Sequence, residues 1–201
     1  QSPERMAESR AELGRFGISK ILFIGAETGA GDGLLDTELP ASFAALLALP
    51  DIAVSEIWTH DWEAGHPDHD ACFLLGHTLR PGRLYTFSAY NSWKLPRPLF
   101  RVMQGLPFPG RIPFSLRLTL FQGMESMRSL FHYRTQRTTM LGLGPFLFYR
   151  WILQRRVSYQ KFSGPLFLGP AHEGLTLRES RFGRSFADSV SLYREFLAQF
   201  T

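Results

Sequence analysis

Apolar and polar positions in the first half of the chain alternate between helical and extended patterns. Residues 3–16 carry a helical periodicity, with Pro3 near the start and Gly17 as a stop. Lys20-Ile21-Leu22-Phe23-Ile24 predicts a short buried strand that ends in glycine. A helix is expected over Phe43 to Leu49, stopped near Pro50. The apolar run from Ile52 to Trp58 predicts a second strand, Ala71 to about Leu79 a helix, and Leu84 to Phe87 a third strand. This order argues for an α/β fold with a parallel sheet covered by helices.

The second half is less regular. Residues 94–113 hold five prolines among aromatics and read as an ordered, irregular loop region. Met124 to Thr138 and Phe146 to Arg156 are helix candidates. Leu175 and Leu177 suggest a late strand. Phe186, Val190, Tyr193, Leu197 and Phe200 form one stripe of a closing helix. Neither repeats nor low-complexity tracts occur.

Composition sets outer limits. The 201 residues suffice for one domain with a sizeable core, and apolar and charged shares of 44% and 20% are those of a globular protein. Cys72, the single cysteine, rules out an intrachain disulfide and a thiolate zinc site, and reads as a small core residue. The opening residues are polar and unlike a signal peptide, and no apolar run reaches membrane-spanning length. A cytoplasmic protein is expected. The net charge of +4 is unevenly spread. Residues 1–100 hold 8 Lys+Arg against 13 Asp+Glu, and residues 101–201 hold 14 against 5. The basic half suits an anionic partner or a solvated face. A nucleic-acid role has no motif support, and none is expected.

The chemistry concentrates in Gly65-His66-Pro67-Asp68-His69. Pro67 suits the first helical turn and Asp68 the positive end of the helix dipole. His66 and His69 can then face one space, one as a metal ligand and the other as a proton donor. The run follows a predicted strand, where an open α/β sheet places its site. The glycine-rich residues 25–33 have neither a P-loop lysine nor dinucleotide spacing, so a nucleotide fingerprint is rejected.

In this context the run resembles the second signature of the PIG-L/LmbE-type N-acetylglucosaminyl deacetylases, zinc-dependent amidohydrolases acting on N-acetyl sugars. Three further landmarks follow in family order. Arg5-Met6-Ala7-Glu8 resembles an Arg-x-x-Glu helix whose arginine lies near substrate. Asp32-Gly33-Leu34 resembles a loop whose acid contacts the sugar. Tyr133-Arg134-Thr135-Gln136, with Arg128 upstream, resembles the family's late helix. The family's opening His-Pro-Asp-Asp-Glu element, with two metal ligands and the general base, has no match in these residues. One PIG-L/LmbE-like domain over 1–201 is therefore expected, truncated at its N-terminus and lacking the first strands. Its expected form is a Rossmann-like three-layer sandwich with a mostly parallel sheet.

The resemblance implies a zinc ion, or another divalent metal, with His69 as a ligand. It implies His66 as donor to the oxyanion or acid for the leaving amine, and Asp68 as the residue that orients His66. Arg5 and Asp32 would hold an N-acetylated sugar or glycoconjugate. Ala64 stands where some relatives carry a tyrosine. Of the other histidines, His60 would line the mouth of the site, His77 packs or is solvated, His132 is a minor candidate and His172 is structural. Two other readings remain: an inactive sugar-binding relative, and a peripheral membrane protein handling a lipid-linked glycan. The second rests on the aromatic and arginine mixture of residues 146–156, for which a core helix with a basic end is preferred. A membrane surface is thus not the expected partner.

Overall fold

The computed structural model describes residues 2–24, 35, 37–49, 54–63, 66–91, 101–108, 110–164, 166, 168–169, 183 and 185–200. The elements in chain order are α1 (Pro3–Arg15), α2 (Leu39–Leu47), β1 (Glu56–His60), α3 (Pro67–Thr78), β2 (Arg83–Phe87), β3 (Tyr90–Asn91) and β4 (Arg101–Val102). There follow β5 (Arg111–Arg117), α4 (Leu120–His132), a 3₁₀ turn (Arg134–Gln136), α5 (Arg137–Phe148), a π-helical turn (Tyr149–Leu153), β6 (Arg156–Phe162) and α6 (Phe186–Ala198).

The fold is mixed α/β. Its four-stranded sheet runs β1-β2-β6-β5. β1 and β2 are parallel, joined by α3, with Ile57 opposite Leu84 and Thr59 opposite Thr86. β6 lies antiparallel to both β2 and β5. The expected mostly parallel sheet is corrected here: within the described four-stranded sheet two of the three pairings are antiparallel. The reason is β5. Its alternation of Ile112, Phe114 and Leu116 with Pro113 and Ser115 makes a strand that ends the described sheet, where the missing N–H of a proline is tolerated. A short two-stranded ribbon, β3 with β4, occupies part of the stretch expected to be irregular.

Other boundaries also move. Residues 20–23 form no strand. α4 begins at Leu120 because Thr119 and Gln122 form a reciprocal capping box. The second candidate helix of this half is split: residues 149–153 form the π turn and Arg156 already opens β6. The glycine-rich residues 25–33, Asp32, His172 and the late strand at Leu175 and Leu177 lie outside the described residues.

The core forms around α3. Phe73, Leu74 and Leu75 pack with Leu39 and Phe43 of α2, Leu84 of β2, and Tyr193 and Phe196 of α6. Trp62, fully buried, meets Tyr193 edge-on at 5.5 Å and donates its indole N–H to the Gly169 carbonyl. Gly76 lets α3 lie close on the sheet, since a Cβ there would come within 3.2 Å of the Thr59 methyl. Gly123 does the same where α4 crosses the π turn, its absent Cβ facing the Trp151 carbonyl. Gly123→Ala is expected to lower stability by about 1–3 kcal/mol, because the added methyl meets backbone rather than a side chain that can move. Urea unfolding checks this; an unchanged midpoint would show that the crossing has slack.

Candidate functional site

The end of β1 delivers Asp61, Trp62 and Glu63 into the interior, and all three are buried. Their partners come from the end of β2 and the start of α3. The Asp61 N–H donates to the Phe87 carbonyl at 2.9 Å, extending the β1–β2 pairing by one bond. His66 is the N-cap of α3, in extended conformation, with Pro67 at the first helical position as its sequence demands. Its Nδ1 accepts the Asp68 N–H at 3.2 Å.

Glu63 is the hub. One oxygen accepts the Ser88 hydroxyl and the Ala89 N–H, both at 2.7 Å. The other accepts Nδ1–H of His69 at 2.9 Å. Its backbone N–H donates to the Asp70 carboxylate at 2.9 Å. His69 therefore presents its Nε2 side to the site with the ring orientation fixed by a buried carboxylate. Burial alone would lower the pKa of His69, but the hydrogen bond and charge of Glu63, aided by Asp70 and Asp68, hold it above the ordinary imidazole value.

Three imidazoles stack in a row. His60, from β1, lies parallel to His69 with centroids 4.0 Å apart and an interplanar angle of 2°. His66 stacks on His69 at 4.7 Å. His60 Nδ1 is buried with no hydrogen-bond partner. Burial, and then the charges of His69 and His66, push its pKa down to about 3. Tyr90 of β3 stands edge-on to His69 at 5.3 Å, so a tyrosine reaches the motif from a strand beyond it in the chain.

Behind this row lies Asp61, fully buried, with one oxygen accepting from Arg111 Nε at 3.0 Å and Nη2 at 2.8 Å. Burial pushes Asp61 up to about 6, against the pull of Arg111. The guanidinium lies over Phe162 at 4.5 Å and Phe73 at 5.0 Å, which ties β5 to α3.

The structure thus brings His66 and His69 together as the motif predicts. Asp68 supplies its N–H to His66, while its carboxylate accepts the Leu35 N–H at 3.0 Å. Arg5 lies on α1, which packs against α4 and the 3₁₀ turn; its backbone N–H donates to Ser2, and no described interaction links it to the histidines. Asp32 and Ala64 fall outside the described residues. His77 packs against Phe162 on α3. His132 contacts Glu12 and Arg15, away from the motif. Cys72 is on α3, its thiol pushed up to about 12 by burial. Glu63 escaped the sequence reading, and His60, expected to line the mouth of the site, stacks on His69 with its Nδ1 buried. The acids that follow the predicted strand, Asp61 and Glu63, the latter two residues before Gly65, were the available signal.

Among the described residues no three His, Cys, Asp or Glu side chains are grouped to hold a metal ion. Of the motif's two histidines, His69 is presented as ligating histidines are, with a carboxylate on its other nitrogen. No family model, curated protein or solved structure matches the chain.

Two outcomes follow from these shifts. The raised pKa of His69 means that its pairing with Glu63 stabilises the fold fully below the unfolded value and that this is lost as pH rises through the folded value. Glu63→Gln should cost about 3 kcal/mol or more at pH 6 and bring the His69 titration, followed by NMR, to or below ordinary imidazole; an unshifted titration would remove Glu63 as its cause. His60 works in the opposite sense. Folded His60 refuses a proton down to about pH 3, whereas the unfolded chain takes one near 6.5, so stability falls as pH drops through that window. Metal-free His60→Phe should lose this slope, by about one proton in the pH dependence of the urea midpoint.

Proposed function

We propose that this chain is the histidine-bearing part of a metal-dependent N-deacetylase acting on an N-acetylated amino sugar or conjugate, built on a Rossmann-like frame. The parallel β1-α3-β2 unit is the part of the sheet that supports such a frame, with the motif beyond the C-terminal end of β1. The observation that carries the reading is the Glu63–His69 hydrogen bond, which leaves a metal-directed Nε2 on the very histidine that the resemblance assigns to zinc. A second support is that two of the resembling landmarks meet in space. Glu8 of the Arg-x-x-Glu helix accepts both the N–H and the hydroxyl of Thr135, 127 residues away.

In this reading His69 holds the ion, and the other ligands come from outside the described residues. A zinc ion, when bound, supplies Lewis acidity and a water of lowered pKa. The chain's own residues do the rest. His66 accepts the Asp68 N–H at Nδ1, so the neutral ring carries its proton on Nε2. That N–H donates a hydrogen bond to the carbonyl oxygen of the amide as negative charge gathers there. Asp68 fixes His66 through the backbone, not only through charge. Arg5 and Asp32 are the proposed sugar contacts.

Zinc content and acetate release from N-acetylglucosamine conjugates test the reading. Wild type should bind zinc and release acetate, and His69→Ala should reduce both at least 100-fold, while Glu63→Gln weakens zinc about 10–100-fold. Zinc affinity should also fall as pH drops through the raised pKa of His69, because the ion must displace that proton. A folded protein that takes up no zinc and releases no acetate, yet binds the sugar, would be the non-catalytic relative.

A further inference from the structure

From β5 to β6 the chain makes one continuous excursion. β5 and β6 pair along their whole length, from Arg111 opposite Phe162 to Arg117 opposite Arg156. The Leu118 N–H then donates to the Arg155 carbonyl at 2.8 Å, and α4 closes on the π turn through Gly123. This geometry gathers Leu116, Leu120 and Phe121 from one arm and Leu153 from the other around the same end of the ribbon. They are 52, 51, 72 and 64% exposed. Exposed Arg117, Arg155 and Arg156 stand among them. The aromatic stretch expected to form a core helix is therefore largely on the surface: Phe146, Phe148 and Tyr149 are exposed, and Leu147 alone of that run is buried.

The charge of the excursion is one-sided. Residues 111–162 hold nine lysines and arginines and a single acid, Glu125. We infer that the end of this ribbon, with the helices it carries, docks on an anionic lipid surface. Exposed leucines and a phenylalanine enter the boundary between headgroups and acyl chains, and the arginines meet the lipid charge. A second copy of this face would set arginine against arginine. A nucleic acid would use the arginines and could stack on Phe121, but it would leave the exposed aliphatic Leu116, Leu120 and Leu153 without a partner. No described helix is long and apolar enough to cross a membrane, so the docking is peripheral. The inference does not depend on the hydrolase reading.

Co-sedimentation of the protein with phosphatidylcholine vesicles, with and without roughly 30% phosphatidylserine, tests it. The expected result is binding to the anionic vesicles that weakens as salt rises. Arg155→Glu with Arg156→Glu should lower partitioning about tenfold or more. Phe121→Ser with Leu153→Ser should do likewise, with circular dichroism and melting unchanged because these side chains are exposed. If a variant misfolds, the salt titration of wild type still decides. Equal binding to neutral and anionic vesicles, or none, would overturn the inference. So would a dimer that Phe121→Ser dissociates, or an oligonucleotide that binds the same arginines with the same salt dependence.

Discussion

The rest of the site depends on the burial of the Glu63 carboxylate. A carboxylate removed from water costs several kcal/mol unless donors replace its hydration. Glu63 finds three, and they come from two different elements: Ser88 and Ala89 after β2, and His69 on α3. Meeting that demand fixes the gap between the ends of two parallel strands and sets the first turn of the helix against it. The same bond that satisfies the acid decides which nitrogen of His69 faces outward. Stability and candidate chemistry are thus one arrangement, and no substitution at Glu63 alters one without the other.

Asp61 imposes a second demand two residues earlier, and it explains the shape of the sheet. Its side chain is fully buried, and the guanidinium that answers it belongs to β5, 50 residues away. Arg111 can reach only if β5 lies beside β6, so the antiparallel half of the sheet is held to the parallel half through this ion pair and through the aromatic rings of Phe73 and Phe162 beneath it. The uncompensated Asp61 oxygen, buried and without a partner, shows that the pairing is incomplete. This is consistent with a carboxyl whose pKa burial raises to about 6.

How much of this was legible follows the range of each interaction. The start of α3 could be read because it is local: a proline at the first position and an acid beside it are sufficient. The stripe of α6 could be read because its period is internal to one helix: Val190 and Tyr193 are buried, Phe186, Leu197 and Phe200 are half-buried, and the buried Phe196 lies outside that stripe. β5 could not, because a proline within seven residues weakens a strand signal and only the partner β6, whose paired residues lie 39 to 51 positions on, makes the pairing favourable. Glu63 was missed for the same reason, and His60 was read as lining the mouth of the site without its burial. An acid or a histidine near a motif has no sign of burial in the letters, and the partners that define its role are supplied by β2 and α3. The start of α4 is a different case. Thr119 and Gln122 are a local capping signature, and it was legible but passed over in favour of the later periodicity.

The uneven charge of the chain acquires a meaning once the elements are placed. Among the described residues, Glu12, Asp61, Glu63 and Asp70 of the first half are buried rather than solvated. Asp61, Glu63 and Asp70 converge at one strand end, where Glu63, aided by Asp70 and Asp68, holds up an imidazole against the cost of its burial. The cations of the second half behave otherwise. Apart from Arg111, which is consumed by Asp61, and Arg150, which donates to Ser158 and to the Met103 carbonyl, arginines of the β5–β6 excursion are mostly exposed. A fold that needed those charges for its own cohesion would have supplied acids to meet them, and here Glu125 is the single acid between residues 111 and 162. Charge kept unpaired beside exposed leucine and phenylalanine is costly in water on both counts, by self-repulsion and by apolar exposure. One anionic, apolar surface relieves both.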